Sequence, residues 1–71
     1  MPRMYDVSSS TINSVGYEGG NLYVEFSRGR TTYVYYDVPE LTYRGLLFSD
    51  HAGEYLAEHV KRAGYRFDKL G

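Results

Sequence analysis

Between Asn21 and Ser27 apolar and polar residues alternate without a break, with Leu22, Val24 and Phe26 on one side and Tyr23, Glu25 and Ser27 on the other. A period of two marks a strand with one face in a core. The flanking segments Thr11 to Tyr17 and Thr31 to Asp37 are similarly rich in β-branched and aromatic residues and predict two further strands. Glu18-Gly19-Gly20 and Arg28-Gly29-Arg30 join them. Connections this short admit only antiparallel neighbours, and glycine supplies the positive φ of a tight hairpin. The three segments therefore predict a meander.

Past Asp37 the period changes. Val38, placed before a proline, is held extended, Pro39 suits a first helical turn, and Asp37 with Glu40 gives an acidic helix start. A helix is expected from near Pro39 to Ser49-Asp50, with Leu41, Leu46, Leu47 and Phe48 on its apolar side and Gly45 allowing close packing. A second helix is expected from about Ala52 to Ala63, with Tyr55, Leu56, His59, Val60 and Ala63 at helical spacing and Gly64 as its stop. The tail from Tyr65 to Leu70 reads as an extended segment that docks. The expected class is α+β: a three-stranded antiparallel β-meander followed by two α-helices packed on one face, β-β-β-α-α. Residues 1–71 form one domain with its core in about 7–66, centred on Leu22, Val24, Phe26, Leu46, Leu47, Leu56 and Val60.

The third strand disturbs this scheme, because Tyr33 and Tyr35 point one way and Val34 and Tyr36 the other, leaving neither side polar. Two short helices cover one side of a sheet. Tyr23, Val34 and Tyr36 are thus expected on an uncovered face, where an apolar patch signals a ligand, a protein partner or a second copy of the chain. Composition sharpens the point: nine tyrosines stand against three phenylalanines and no tryptophan, and tyrosine joins an apolar ring to a hydroxyl that needs water or a partner.

At 71 residues with no cysteine, disulfides, thiolate catalysis and cysteine-based zinc sites are excluded, and little stability is left over for a deep catalytic cavity. The opening Met-Pro-Arg-Met-Tyr-Asp lacks an apolar run, and no stretch has the length of a membrane span, so a soluble cytoplasmic protein without membrane contact is expected.

Four features could carry chemistry. His51, Glu54 and Glu58 share a helical stripe with metal-ligand or acid–base spacing, but a solvated helix face accounts for them, and no metal or cofactor is expected. His59 reads as a core-edge histidine bonded to backbone. Ser8-Ser9-Ser10 lacks the turn of a nucleophile elbow, and no glycine-rich loop leads into a Lys-Ser/Thr helix start. The chain is read as no enzyme. Two binding classes survive. One is a protein-interaction or self-association module, a homodimer or an accessory factor, using the tyrosine-rich sheet. The alternative stacks the bases of single-stranded RNA or a nucleotide on sheet tyrosines, with arginines on phosphate. Net charge of −1 opposes the second, while seven of eight basic residues lying from Arg28 onward favour it. The candidate binding residues are Tyr23, Arg28, Arg30, Tyr33, Tyr35 and Tyr36.

Tyr33-Val34-Tyr35-Tyr36-Asp37-Val38-Pro39 resembles the central Y-x-Y…V-P motif of the KTSC domain, a short domain found at the C-terminus of some lysyl-tRNA synthetases and as a stand-alone bacterial or phage protein. Val7-Ser8-Ser9-Ser10-Thr11-Ile12 is similar to that family's Ser-rich start, Val15-Gly16-Tyr17 to its first strand, and Leu22-x-Val24-x-Phe26-x-x-Gly29 to its second hairpin. Gly53-x-Tyr55 with His59-Val60-Lys61 is similar to its last helix. The resemblance spans about residues 7 to 66, and through the synthetase context it implies RNA binding. The chain departs from the pattern at His51, where a small hydroxyl residue is expected, and at Ala57, where a polar one is common.

Overall fold

The computed structural model describes residues 1–71 as one five-stranded antiparallel sheet with two helices. The strands are β1 (Tyr5–Asp6), β2 (Ile12–Glu18), β3 (Asn21–Phe26), β4 (Thr32–Tyr35) and β5 (Phe67–Lys69), ordered in space as in sequence. The expected meander is its middle. The three-stranded sheet is corrected to five because each chain end adds a short edge strand, β1 on β2 and β5 on β4. Two or three residues are too few to show a period of two.

The β2–β3 turn is the two-residue Gly19-Gly20, with φ of 59° and 82°, a conformation that residues with a Cβ rarely adopt. A bulge at Asn13 places both Ile12 and Val15 on the core side although they are three apart. β4 stops at Tyr35, short of the expected Asp37, because Asp37 itself has φ of 55° and leaves the strand.

Helix α1 (Glu40–Leu47) follows Pro39, and α2 (Ala52–Leu56) runs into a wider turn over Ala57–Lys61, where the Arg62 N–H reaches back five residues to the Ala57 carbonyl at 3.0 Å. Ala52, Leu56 and Val60 recur every four residues and are buried with Tyr43 and Leu46 of α1. Gly45 lets the helices meet, since a Cβ there would collide with the Tyr55 hydroxyl.

Leu22, Val24, Leu46, Leu56 and Val60 are core as expected, joined by Ile12, Val15, Val38, Tyr35 and Tyr43, whereas Phe26 and Leu47 are only partly buried. Leu41 and Phe48, expected on the apolar side of α1, are 80% and 79% exposed. Leu41 lies two residues, about 200°, from Tyr43, and Phe48 has already left the helix. His59 is likewise exposed, its ring 4.4 Å from that of Tyr55.

The strand register sorts side chains into rows. On the side of the helices lie Tyr5–Val15–Val24–Tyr33–Lys69 and Tyr17–Leu22–Tyr35–Phe67, and on the outer side Gly16–Tyr23–Val34–Asp68. The outer face is not bare, contrary to expectation. The N-terminal segment crosses it so closely that a Cβ at Gly16 would lie 2.6 Å from the Arg3 carbonyl oxygen, and Val34 is 3% exposed. No helix is long and apolar enough to cross a membrane.

Truncating Val24 leaves a cavity between sheet and helices. Val24→Ala should cost about 2 kcal/mol of a total near 4–10 kcal/mol, read as a lower urea midpoint with an unchanged slope. A midpoint equal to the parent's would show that this side chain is not core.

Burial, with the Glu40 carboxylate as a smaller cause, holds the Tyr17 hydroxyl above its ordinary pKa, and burial does the same for Tyr43. The Tyr17 hydroxyl also donates to the Val38 carbonyl. The unfolded chain loses these protons near pH 10 while the folded chain keeps them, so stability is full below that pH and falls as pH rises through the folded values. Urea midpoints should hold steady up to about pH 9 and decline as pH rises through 10, and Tyr17→Phe should flatten the decline.

Candidate functional site

The helices cover the inner sheet face over β2 and β3 and leave a groove along β4 and β5. Its floor is aromatic. Phe26 and Tyr33 meet edge to face at 5.6 Å, Tyr33 and Tyr35 lie side by side at 6.4 Å, and Phe67 leans on both at 5.9 and 5.7 Å. These rings are neighbours because β4 and β5 pair Tyr35 with Phe67 and Tyr33 with Lys69, and a strand presents every second residue to the same side. The groove measures ≈ 940 Å³, within the range of small-molecule sites.

Around the floor stand Arg28 from the β3–β4 turn, Lys61 from the widened end of α2 and Lys69 from β5. The Lys61 ammonium lies 5.1 Å above the Phe26 ring. No carboxylate lines the groove, and none of these three cations takes part in an ion pair: the pairs in the protein are Arg44–Glu40, Arg62–Glu58 and Arg66–Asp37, all elsewhere. A chain of net charge −1 thus gathers three uncompensated positive charges at one aromatic surface. Burial, and secondarily the neighbouring Tyr33, raises the Tyr35 pKa, so its hydroxyl stays neutral below pH 10.

A second concavity adjoins the first, sharing Ser10, Thr11, Phe26 and Lys61 and continuing past His51 and Gly53. The serine run is structural here: Ser9 Oγ accepts the backbone N–H groups of Thr11 and Ile12 at 3.1 and 3.2 Å, and Ser27 Oγ donates to the Ser10 carbonyl at 2.9 Å. Gly53 admits Thr11, whose Oγ1 would lie 2.9 Å from a Cβ. Of the His51, Glu54 and Glu58 stripe, Glu58 pairs with Arg62 at 3.6 Å, and no His, Asp or Glu group is arranged to hold a metal ion.

The six candidate residues from the sequence divide. Arg28, Tyr33 and Tyr35 meet in the groove. Tyr23 and Tyr36 lie on the opposite face, as the alternation of the third strand predicts, and Arg30 lines a shallow surface there with Asp6 and Glu25, so the six residues fall on two surfaces. The cause is the alternation itself, which sends Tyr35 and Tyr36 to opposite sides. Tyr36 is engaged already: its hydroxyl donates to Asp68 Oδ2 at 2.7 Å, a bond that is the main reason its pKa is raised, and the Arg66 guanidinium sits 5.2 Å from its ring. Sequence reasoning does not reach Lys61, Tyr65, Phe67 and Lys69. The excess of basic residues after Arg28 is their one trace in the sequence.

The architecture has a known counterpart. The crystal structure of a KTSC domain protein from Yersinia pestis superimposes with a TM-score of 0.84 at 27% identity, covering 100% of both chains. None of the curated proteins matches this chain. The model of the KTSC domain matches residues 8–65, close to the span on which the sequence motifs rest, and with most of its length so matched the chain belongs to the KTSC domain family.

Proposed function

We propose that this domain is a non-catalytic binding module for single-stranded nucleic acid or a nucleotide, held in the groove over β4 and β5. One observation carries the reading: three cations without carboxylate partners ring a floor of Phe26, Tyr33, Tyr35 and Phe67. Phosphate supplies the missing charge, and a base supplies the flat apolar face that such rings stack on. The net charge of −1 no longer opposes the reading, since the carboxylates lie outside the groove.

The protein-contact reading, first among the expectations from sequence, loses part of its surface, because Val34 is buried and Tyr36 is tied to Asp68. It keeps the exposed Leu41 and Phe48 on and after α1.

Short single-stranded RNA should quench tyrosine fluorescence at low salt. Phe67→Ala should weaken binding by about 1–3 kcal/mol, and Lys61→Ala should lower the slope of log affinity against log salt by about 0.7. Tyr23→Ala with Arg30→Ala, on the other face, should leave affinity unchanged. Absence of binding at low salt, with a dimer in light scattering at tens of micromolar that Leu41→Ser dissociates, would replace this reading with self-association.

A further inference from the structure

The two ends of the groove differ in charge. Arg28 follows β3, Lys61 covers Phe26 at the end of β3, and Lys69 stands in register with Tyr33, so all three cations lie at the end next to the β3–β4 turn. The other end, where Tyr35 pairs with Phe67, is aromatic and has no free cation. Arg66, the nearest candidate, is turned to the outer face, over the Tyr36 ring and 3.7 Å from Asp37.

A strand running through the groove would carry phosphodiesters past both ends, each with a single charge. This arrangement would meet only those at one end. It fits a ligand with concentrated charge at one end and a flat ring about one residue pair away along β4, where the Tyr33 and Tyr35 ring centroids are 6.4 Å apart. Resting on the reading above, we propose that the groove recognises a terminal phosphomonoester nucleotide, its phosphate between Arg28, Lys61 and Lys69 and its base against the exposed Phe67 ring. A phosphomonoester carries about −1.5 to −2 charges at neutral pH, against one for a diester, and so gains more from three clustered cations. Phe67 and Lys69, one at each end of the groove, lie beyond residues 8–65, the part matched by the family model, and both come from the C-terminal strand β5.

The test uses the full chain and three adenylate hexamers of one sequence, bearing a 5′-phosphate, a 3′-phosphate or hydroxyls at both ends, together with adenosine monophosphate and adenosine. One phosphorylated hexamer should bind about tenfold more tightly than the hydroxyl-ended one, the order contributed by an added charge-assisted contact. The preference should shrink as pH falls below about 6, where the monoester loses its second charge. Lys69→Gln should bring the phosphorylated and hydroxyl-ended hexamers to about equal affinity, whereas Phe67→Leu should weaken both and keep their ratio. Adenosine monophosphate binding as tightly as the preferred hexamer would identify a free nucleotide as sufficient, and binding of the phosphorylated hexamer alone would identify a strand end; either supports the proposal. Equal binding of all three hexamers would overturn it while leaving nucleic-acid binding intact, and no binding of any probe would overturn both.

Discussion

Everything in this molecule depends on one apolar contact, the burial of Val15, Leu22 and Val24 of the central strands with Leu46, Leu56 and Val60 of the helices. A chain this short has one such core and little surplus stability. The helices are five to eight residues long before α2 widens, and they complete the core over β2 and β3 without reaching the β4–β5 edge. The groove is therefore a by-product of economy in the core. What the helices leave uncovered must be furnished with residues that tolerate water on one side, and tyrosine, lysine and arginine do that.

The parts of the fold that are legible in the sequence are those with several repeats of one period. Alternation from Leu22 to Phe26 assigns the inner face, and the spacing of Leu56 and Val60 with Ala52 assigns the buried stripe of the second helix. The failures share a cause. β1 and β5 exist because the sheet offers them unpaired edges, a tertiary fact with no local period to announce it. Hydrophobicity alone assigns Leu41 and Phe48 to the core, yet the direction of the helix puts Tyr43 and Leu46 inward, and a tyrosine fills the place expected of a leucine.

The site is legible by halves. Residues on β4 carry their facing with them, so strand alternation alone groups Tyr33 with Tyr35 and sets Tyr36 apart. Loop residues carry no such facing, and Arg28 and Arg30, two apart on a turn whose Gly29 has φ of 71°, diverge to opposite faces. Lys61 and Lys69 join the groove from elements distant in sequence, through the wide turn ending α2 and through an edge pairing. Only the assembled fold brings these four segments to one surface.

β5 is the weakest-held wall of the groove. All three of its residues are exposed, and it is fastened by its ladder to β4, by backbone bonds from Leu70 and Thr32, and on the far side by Tyr36 with Asp68. An element with so little buried surface opens at a free energy well below that of the whole domain. Phe67 and Lys69 leave the groove whenever it does, so the affinity of the proposed site would equal its intrinsic affinity multiplied by the fraction of time the strand is docked. The Tyr36–Asp68 bond, out of reach of any ligand in the groove, helps to set that fraction. The two faces of the sheet, separated by the alternation of β4, are thereby joined in energy: the outer tyrosine contributes to how often the inner wall is docked.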